Sequence, residues 1–402
     1  MPKKALAKVK VVEWAQFVSG PYCSKLLADL GAEVIKIEKP GTGDESRRRG
    51  PFPNDIPHPE KSGLFFYLNT NKRGITLNME NPAGRKIFKE LIQEADILIE
   101  DHQPKVTEKH GLDYQNLIRL NPRLIVTSIT PFGQTGPLKD LKAYHLNTYH
   151  SAGLGYLTPQ SKPGTSRQPL AAGGYFGEYG CGLIGAVATL GALHAQRING
   201  RGQQVDISKQ EALLSLCMVQ ASRYPNEGVV QNRFHSQGEY GDIYQCKDGH
   251  IVEMTNEENQ WQAFVELMGN PEWAIDERYK KPAFRKEHYK ELNRNIAGWM
   301  MEHTKDEIYH EAQKLGFAVA PVMNAEDIVN SEQSKAREFF SEADHAEMGR
   351  IKFPSAPYKL SASPWAMERS APLLGQHNEE IYCKRLGFSL QELEDMKSNG
   401  IM

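Results

Sequence analysis

Short apolar runs rich in β-branched residues alternate with helical patterns through the first half of this chain. Between two of them, Asn81-Pro82 predicts a helix start, and apolar residues then repeat on one face from Ile87 to Ile92. This alternation is typical of a parallel sheet covered by helices, so we predict an α/β fold. The runs are VKVVEWA (9–15), EVIKIE (33–38), DILIE (96–100), LIVTSIT (124–130) and QVDIS (204–208).

A second predicted helix, about 177–197, is almost without large side chains. Each glycine costs roughly 1 kcal/mol of helix propensity relative to alanine, so a packed neighbour or a ligand must approach this backbone closely. Glu178 lies in its first turn, where the helix dipole favours an ionised carboxylate. It is either a reactive group over an open backbone or an exposed partner of the dipole. The small residues are Gly177, Gly180, Gly182, Gly185, Ala186, Ala188 and Gly191.

The pattern changes near residue 224. GDIYQCKDGHIVEM predicts a hairpin that turns at Asp248-Gly249, and helical segments follow it. We therefore predict a large α/β domain whose N-terminal part is 1–223, a smaller α+β domain at 224–330, and a return linker with C-terminal helices of the large domain at 331–402.

Composition argues against several classes of function. Lys plus Arg (48) nearly balances Asp plus Glu (50), which gives no reason to expect nucleic acid or an anionic membrane as a partner. No apolar stretch approaches the roughly 20 residues that span a bilayer. The cysteines form no CxxC pair and the histidines no HExxH motif, so we expect neither a disulfide framework nor a metal site. We expect a cytoplasmic protein.

Positive charge is dense around the end of the second predicted strand. Lys36, Lys39 and the run Arg47–Arg49 lie there, and Lys72-Arg73 come shortly afterwards. Such a cluster would hold phosphate groups, although a solvated charged loop would have the same sequence. After the first strand, Ser19-Gly20-Pro21 begins a helix whose free N–H groups would face the same edge of the sheet, unless these residues only form a tight turn.

Five separated segments together resemble one protein family. They are SGPYCSKLLADLGAEVIKIEKPGTGDESR, NTNKRGITLNM, GLDYQNLIRLNPRLIVTSITPFGQTGP, GRGQQVDISKQEALLSL and APLLGQHNEEIYCKRLGFS, in that order. From about residue 9 to the C-terminus, the chain resembles the class III CoA-transferases, the CaiB/BaiF family, which includes formyl-CoA:oxalate, carnitine and benzylsuccinate CoA-transferases. The resemblance implies a Rossmann-like large domain, a smaller domain and an interlocked dimer.

The resemblance also implies a set of site residues. The family's nucleophilic aspartate falls on Glu178, which would attack an acyl-CoA thioester and then carry coenzyme A as an enzyme-bound thioester. Coenzyme A is a substrate here and no permanently bound cofactor is expected. Lys39, Lys109 and Lys142 could meet its phosphates. All positions implied to contact coenzyme A are Val18, Ser19, Lys39, Leu77, Asn78, Met79, Asp101, His102, Gln103, Lys109, Lys142, Ala143 and Tyr144.

Departures from the family pattern leave two versions of this function open. Glutamate is one methylene longer than aspartate and moves the carboxyl group by roughly 1.5 Å, and a misplacement on that scale can cost on the order of a hundredfold in rate. EDHQPK (100–105) replaces Glu-Asn-Phe-x-Pro-Gly, and AYH (143–145) replaces Ala-Tyr-Asp. Either Glu178 is a working nucleophile in a homodimer, or the chain is the non-catalytic subunit of a heteromer whose paralogous partner carries the aspartate.

A related enzyme class is the α-methylacyl-CoA racemases, which move an α-proton with a histidine and an aspartate. The racemase histidine would fall on Tyr144, with His145 one place away. Tyr144, Tyr149, Tyr175 and Phe176 near the expected site either favour a bulky or aromatic acid as the second substrate of a transferase or belong to the core. The resemblance to benzylsuccinate CoA-transferases implies a dicarboxylic acid as the other candidate.

Overall fold

A parallel sheet organises the first of two units into which the chain divides. The computed structural model describes residues 4–159, 168–233, 243–253, 255 and 257–402. The first unit comprises Met1–Thr158, Pro169–Gln231 and Phe339–Met402, and the second comprises Pro159–Gln168 and Asn232–Glu338.

The sheet of the first unit has six strands in the order β3-β2-β1-β4-β5-β6, and every neighbouring pair is parallel. This is the doubly wound order: successive strands are added on one side of β1 up to β3 and then on its other side from β4 onward, so the order reverses between β1 and β4. The predicted α/β class with a parallel sheet is confirmed. The strands are β1 Lys10–Trp14, β2 Glu33–Glu38, β3 Lys72–Thr76, β4 Ile97–Glu100, β5 Ile125–Thr130 and β6 Gln204–Ser208.

Helices cover both faces of this sheet, and a π-helical turn, Glu380–Arg385, precedes the last of them. One apolar layer includes Phe88 and Leu117, and the other includes Leu27 and Leu193. The first-unit helices are α1 Ser19–Asp29, α2 Gly63–Asn69, α3 Pro82–Glu94, α4 Pro104–His110, α5 Tyr114–Leu120, α6 His145–Ser151, α7 Leu154–Leu157, α8 Phe176–Asn199, α9 Lys209–Ser215, α10 Met218–Glu227 and, near the C-terminus, Leu390–Ser398.

The glycine-rich helix α8 packs directly on α1 and β5. A Cβ at Gly182 would lie 2.6 Å from the Ser19 carbonyl oxygen, and one at Gly185 would lie 2.8 Å from Ile129 Cδ1. The close approach predicted for this backbone is therefore to neighbouring elements. By length and composition alone α8 could cross a membrane, but its close packing on α1 and β5 is that of a core helix.

We expect Gly182→Ala to destabilise the protein, because the added methyl group overlaps a backbone atom that cannot move without shifting α1. The expected loss is about 1–3 kcal/mol of unfolding free energy, measured by denaturant titration. Gly191→Ala is the matched control in the same helix, since its added Cβ meets open space. It should raise the unfolding free energy by about 0.5–1 kcal/mol. Equal effects of the two substitutions would contradict this explanation of the glycines.

The second unit contains a small antiparallel sheet and its own apolar core, which includes Trp261, Phe264 and Ile296. The predicted hairpin is present, with Cys246 opposite Gly249 across the turn, so the turn lies one residue earlier than predicted. Its strands are β7 Ile243–Cys246, β8 Gly249–Glu253 and β9 Val319–Pro321, and its helices are Glu258–Leu267, Pro282–Glu287, Tyr289–Met300, Lys305–Lys314, Ala325–Asn330 and Glu332–Ala336.

The return segment of the first unit holds a hairpin that the sequence patterns did not predict. Strands β10 (Phe340–His345) and β11 (Gly349–Pro354) pair antiparallel. Phe353 packs edge-to-face on Phe66 of α2, at 5.3 Å between ring centroids. This segment therefore has a small core of its own against α2.

Candidate active site

Glu178 lies buried in the first turn of α8, with 3% of its surface exposed. Its Oε2 accepts a hydrogen bond from Lys209 Nζ at 2.8 Å and another from Ser19 Oγ. Lys209 is the first residue of α9, immediately after β6, and Ser19 is the first residue of α1, shortly after β1. The starts of three helices, α1, α8 and α9, thus meet at one carboxylate. This point lies at the carboxyl edge of the sheet, where open α/β folds bind ligands.

Backbone geometry places Glu178 there. Gly174 and Tyr175 both have positive φ (67° and 58°), and this turn directs the chain into α8. The Glu178 N–H donates to the Tyr175 carbonyl at 2.9 Å. Because Gly182 carries no side chain, α8 lies close enough to the start of α1 for Glu178 to reach Ser19.

Glu178 and Lys209 keep each other ionised. Burial alone would raise the pKa of Glu178, but the Lys209 ammonium, assisted by Ser19 and by His145, outweighs it and holds that pKa below its ordinary value. Burial opposes the charge on Lys209 as well, and Glu178 and, more weakly, Asp101 raise the pKa of its ammonium. Glu178 is therefore a buried carboxylate anion and not the solvated first-turn residue that the sequence left as an alternative.

Lys209 was missed by sequence reasoning. The available signal was its place directly after the QVDIS strand, at the carboxyl edge of a parallel sheet. Its pairing with a residue 31 positions earlier depends on how α8 and α9 pack, which no local pattern reports.

Tyr175, three residues before Glu178, packs against two other rings. The Tyr175 ring lies 4.9 Å from that of Phe17 and 5.2 Å from that of His145, edge-on to both. Tyr144 is instead 71% exposed, and Tyr149 is buried, with its ring next to Gly177 of α8. Of the aromatic residues predicted near the site, Tyr175 and Tyr149 both lie close to the start of α8, and Tyr149 is also part of the apolar core.

A cleft opens at the carboxyl ends of β1, β2 and β3. Its volume is about 160 Å³, below the roughly 300–1,000 Å³ that is typical of small-molecule sites, so it could enclose only part of a large ligand. Five of the positions that the family resemblance assigned to coenzyme A line it together. These are Lys39, Leu77, Asn78, Met79 and His102.

Residues after β4 form one wall of this cleft. The His102 ring stacks on Trp14 at 3.7 Å between centroids. Asp101 accepts a hydrogen bond from the Gln16 N–H at 2.9 Å, and burial raises its pKa to about 6 against the opposing effects of His102 and that N–H. Gln103 donates to the Leu141 carbonyl at 2.7 Å. The segment 101–103 is thereby joined to the loop that carries Lys142, Ala143 and Tyr144.

The remaining predicted residues lie around this edge. Val18 is fully buried between β1 and α1, next to Ser19. Lys142 is exposed and Ala143 partly so. The Lys109 ammonium is exposed, 3.6 Å from Glu80 at the rim of the cleft.

Two cations of the predicted phosphate cluster are instead used inside the protein. Lys36 is fully buried, with its ammonium 2.6 Å from Glu13 and 2.7 Å from Asp44. Arg47 is buried as well and contacts Glu38 and Glu60, each at 2.6 Å. Neither is a solvated loop residue, and both are already neutralised by carboxylates, so the expectation that they hold phosphates is wrong.

Comparison with known proteins identifies the family. The profile of CoA-transferase family III matches residues 6–378. The chain belongs to CoA-transferase family III. The predicted family and the prediction of a CoA-transferase enzyme are therefore confirmed, and the substrates of such enzymes are CoA thioesters and carboxylic acids.

Relatives of this family III chain match it over nearly its whole length. It is 32% identical to the formyl-CoA:oxalate CoA-transferase of Afipia carboxidovorans, over 99% of this chain and 98% of the relative. It is 30% identical to the succinyl-CoA–D-citramalate CoA-transferase of Chloroflexus aurantiacus, over 100% and 99% of the two chains. Among solved structures, a CaiB/BaiF family protein from Brucella suis superposes with a TM-score of 0.84 at 28% identity, covering 95% of this chain and 99% of that one.

Proposed function

We propose that this chain moves coenzyme A between an acyl-CoA thioester and a free carboxylic acid, with Glu178 as the nucleophile. The observation that carries the proposal is the buried, ionised carboxylate at the carboxyl edge of the sheet. Removal from water makes such an anion reactive toward a thioester carbonyl, and the ion pair with Lys209 keeps it deprotonated.

The reaction consists of four substitutions at carbonyl carbon. Glu178 attacks the thioester, its C–S bond breaks, and an acyl-glutamyl anhydride and CoA thiolate form. The thiolate then attacks the glutamyl carbonyl and releases the first acid, leaving CoA bound to Glu178 as a thioester. The incoming carboxylate displaces the thiolate to form a second anhydride, and thiolate attack on its acyl carbonyl releases the new acyl-CoA and regenerates Glu178.

We propose that coenzyme A lies in the cleft next to β1–β3, with its adenine end against the segment 77–79. Lys39, Lys109 and Lys142 have exposed side chains around this edge and can contact phosphates. The pantetheine arm is proposed to run from the cleft to Glu178 past three of the predicted contact residues, Ser19, Asp101 and Gln103. The protein is proposed to act in the cytoplasm.

Mass spectrometry with a panel of acyl-CoA donors tests the proposal. Incubation without an acceptor acid should add coenzyme A to Glu178 as a thioester. Borohydride should reduce this thioester to an alcohol, and hydroxylamine should displace coenzyme A from it and leave a hydroxamate on Glu178. A covalent adduct on a different residue, or none with any donor under conditions where CoA binds, would contradict it.

The alternative is that this chain is the non-catalytic subunit of a heteromer. The glutamate at the position of the family's aspartate is the observation that favours it, because the longer side chain displaces the carboxyl group by roughly 1.5 Å. Co-expression with a paralogous chain distinguishes the two versions. In the alternative, activity appears only in the mixed complex and the adduct forms on the partner's aspartate.

We also propose that a second chain, a copy of this one or a paralogue, covers the outer face of α8. Leu183, Val187 and Ile198 on this helix are 50%, 63% and 75% exposed. Three large apolar side chains exposed on one core helix are typical of an interface.

Val187→Glu is expected to shift the protein toward monomer, because it places a charge inside the proposed interface. Analytical ultracentrifugation should show at least a tenfold higher dissociation constant. Leu390→Glu, at an exposed apolar position on the C-terminal helix Leu390–Ser398, is the matched control and should leave the constant unchanged. Equal sedimentation of both variants and the wild-type protein would remove α8 from the interface.

A further inference from the structure

Both side chains that bind Glu178 contact the same oxygen. Ser19 Oγ and Lys209 Nζ donate to Oε2. Within the part of the chain that the structure describes, Oε1 accepts no hydrogen bond. The carboxylate therefore has one oxygen held by a cation and a hydroxyl, and another available to a substrate.

We propose that Oε1 is the attacking atom, and that Lys209 and Ser19 form the oxyanion site for the glutamyl carbonyl in the later steps. This inference rests on the proposed transferase function. After Oε1 has bonded to the acyl carbon, Oε2 becomes the carbonyl oxygen of the glutamyl half of the anhydride. It already contacts an ammonium and a hydroxyl.

The charge on Oε2 follows from the electron movements. When CoA thiolate attacks the glutamyl carbon, the C=O electron pair moves onto Oε2, and the intermediate collapses when the bond to Oε1 breaks and the acyl group leaves as a carboxylate. When the acceptor acid attacks the resulting thioester, negative charge develops on Oε2 again, and the thiolate leaves. In both steps the charge concentrates beside the Lys209 ammonium, which stabilises the transition state more than the neutral glutamyl carbonyl of the anhydride or thioester that precedes it.

The surroundings of Lys209 suit this function. Its side chain is 14% exposed, so water screens its charge weakly. Glu178, Asp101 and Cys181 act on it electrostatically, and the first two hold it as an ammonium ion. It is the first residue of α9, whose start is fixed by the Ser208 side chain accepting from the Glu211 N–H at 3.3 Å.

The test separates this oxyanion function from simply keeping Glu178 ionised. The CoA adduct of Glu178 is prepared in wild-type protein and in Lys209→Met, and its reaction with hydroxylamine is followed by mass spectrometry at several pH values. Hydroxylamine attacks the same glutamyl carbonyl as the acceptor acid does. Because Glu178 is a thioester in the adduct, it has no carboxyl group to ionise, so Lys209 can affect this reaction only by stabilising the charge on Oε2. We expect Lys209→Met to slow this reaction about 100–1,000-fold at every pH, as loss of an oxyanion donor does.

Lys209→Arg and Ser19→Ala complete the set. Arginine retains the charge and a donor and should restore the rate to within about tenfold of wild type, whereas Ser19→Ala should slow it about tenfold with the ion pair intact. These two variants carry the test if Lys209→Met does not fold, as judged by thermal melting and CoA affinity. A wild-type rate in Lys209→Met overturns this inference and leaves the proposed function standing. Wild-type rates in both single variants Ser19→Ala and Lys209→Gln, the second of which removes the charge, have the same consequence. Absence of any adduct in the wild-type protein overturns the proposed function and this inference with it.

Discussion

Glu178→Gln should lower the transfer rate by about ten-thousandfold or more while leaving CoA affinity within about threefold of wild type. Glutamine has the same shape, and its amide oxygen can still accept hydrogen bonds from Lys209 and Ser19, so the local structure persists. It carries no negative charge and forms no stable anhydride, so every step after binding is blocked. Transfer is measured by chromatography of acyl-CoA esters, and CoA affinity by calorimetry.

Glu178→Asp is the matched control because it keeps the carboxylate and shortens the side chain to the length of the family's usual nucleophile. It should retain an adduct-forming carboxylate and lose at most about a hundredfold in rate. A homodimer in which Glu178→Gln transfers CoA at the wild-type rate would place the nucleophile elsewhere. If this chain is a non-catalytic subunit, Glu178→Gln will leave the activity of the heteromer unchanged.

The sheet could be predicted from the sequence where apolar patterning was uninterrupted. All five predicted runs are strands of the sheet, including Glu33–Glu38 with its predicted bounds. The strand Lys72–Thr76 was missed because it begins with two cations, which are typical of exposed loops. Lys72 is nevertheless fully buried, since Glu13 lies 2.8 Å from its ammonium and offsets part of the cost of burial, which still lowers the pKa of Lys72 to about 8.

The candidate nucleophile could be located from local pattern, and its electrostatic surroundings could not. Glu178 stood out because it opens a glycine-rich helix. Its partners Ser19 and Lys209 come from helices that follow other strands, and a single sequence does not specify which side chains meet across such distances. The same limit explains why Lys36 and Arg47 were expected to hold phosphates.

A buried ion-pair network lies beneath the turn that joins β1 to α1. Lys36 lies between Glu13 and Asp44, and the Asp44 carboxylate also accepts a hydrogen bond from the Phe17 N–H at 3.0 Å. Phe17 has a positive φ of 68°, a conformation that needs support from its surroundings. Lys36 therefore stabilises the sheet and also fixes the turn that leads to Val18 and Ser19. Lys36 and Lys72 together lower the pKa of Glu13 to about 2 despite its burial.

Lys36→Met should destabilise the protein by about 3–5 kcal/mol, because it leaves two buried carboxylates with less compensating charge. Denaturant titration at neutral pH measures the loss. Glu13 stabilises the fold above its unfolded pKa near 4.5, and this contribution is lost as the pH falls toward about 2. Once Lys36 is absent the folded pKa of Glu13 rises, so the variant should unfold at higher pH than wild type during acid titration.

Lys39→Met, at an exposed position just after the same strand, is the control and should change the unfolding free energy by less than about 0.5 kcal/mol. Equal losses in both variants would mean that the buried network contributes no more than a surface lysine.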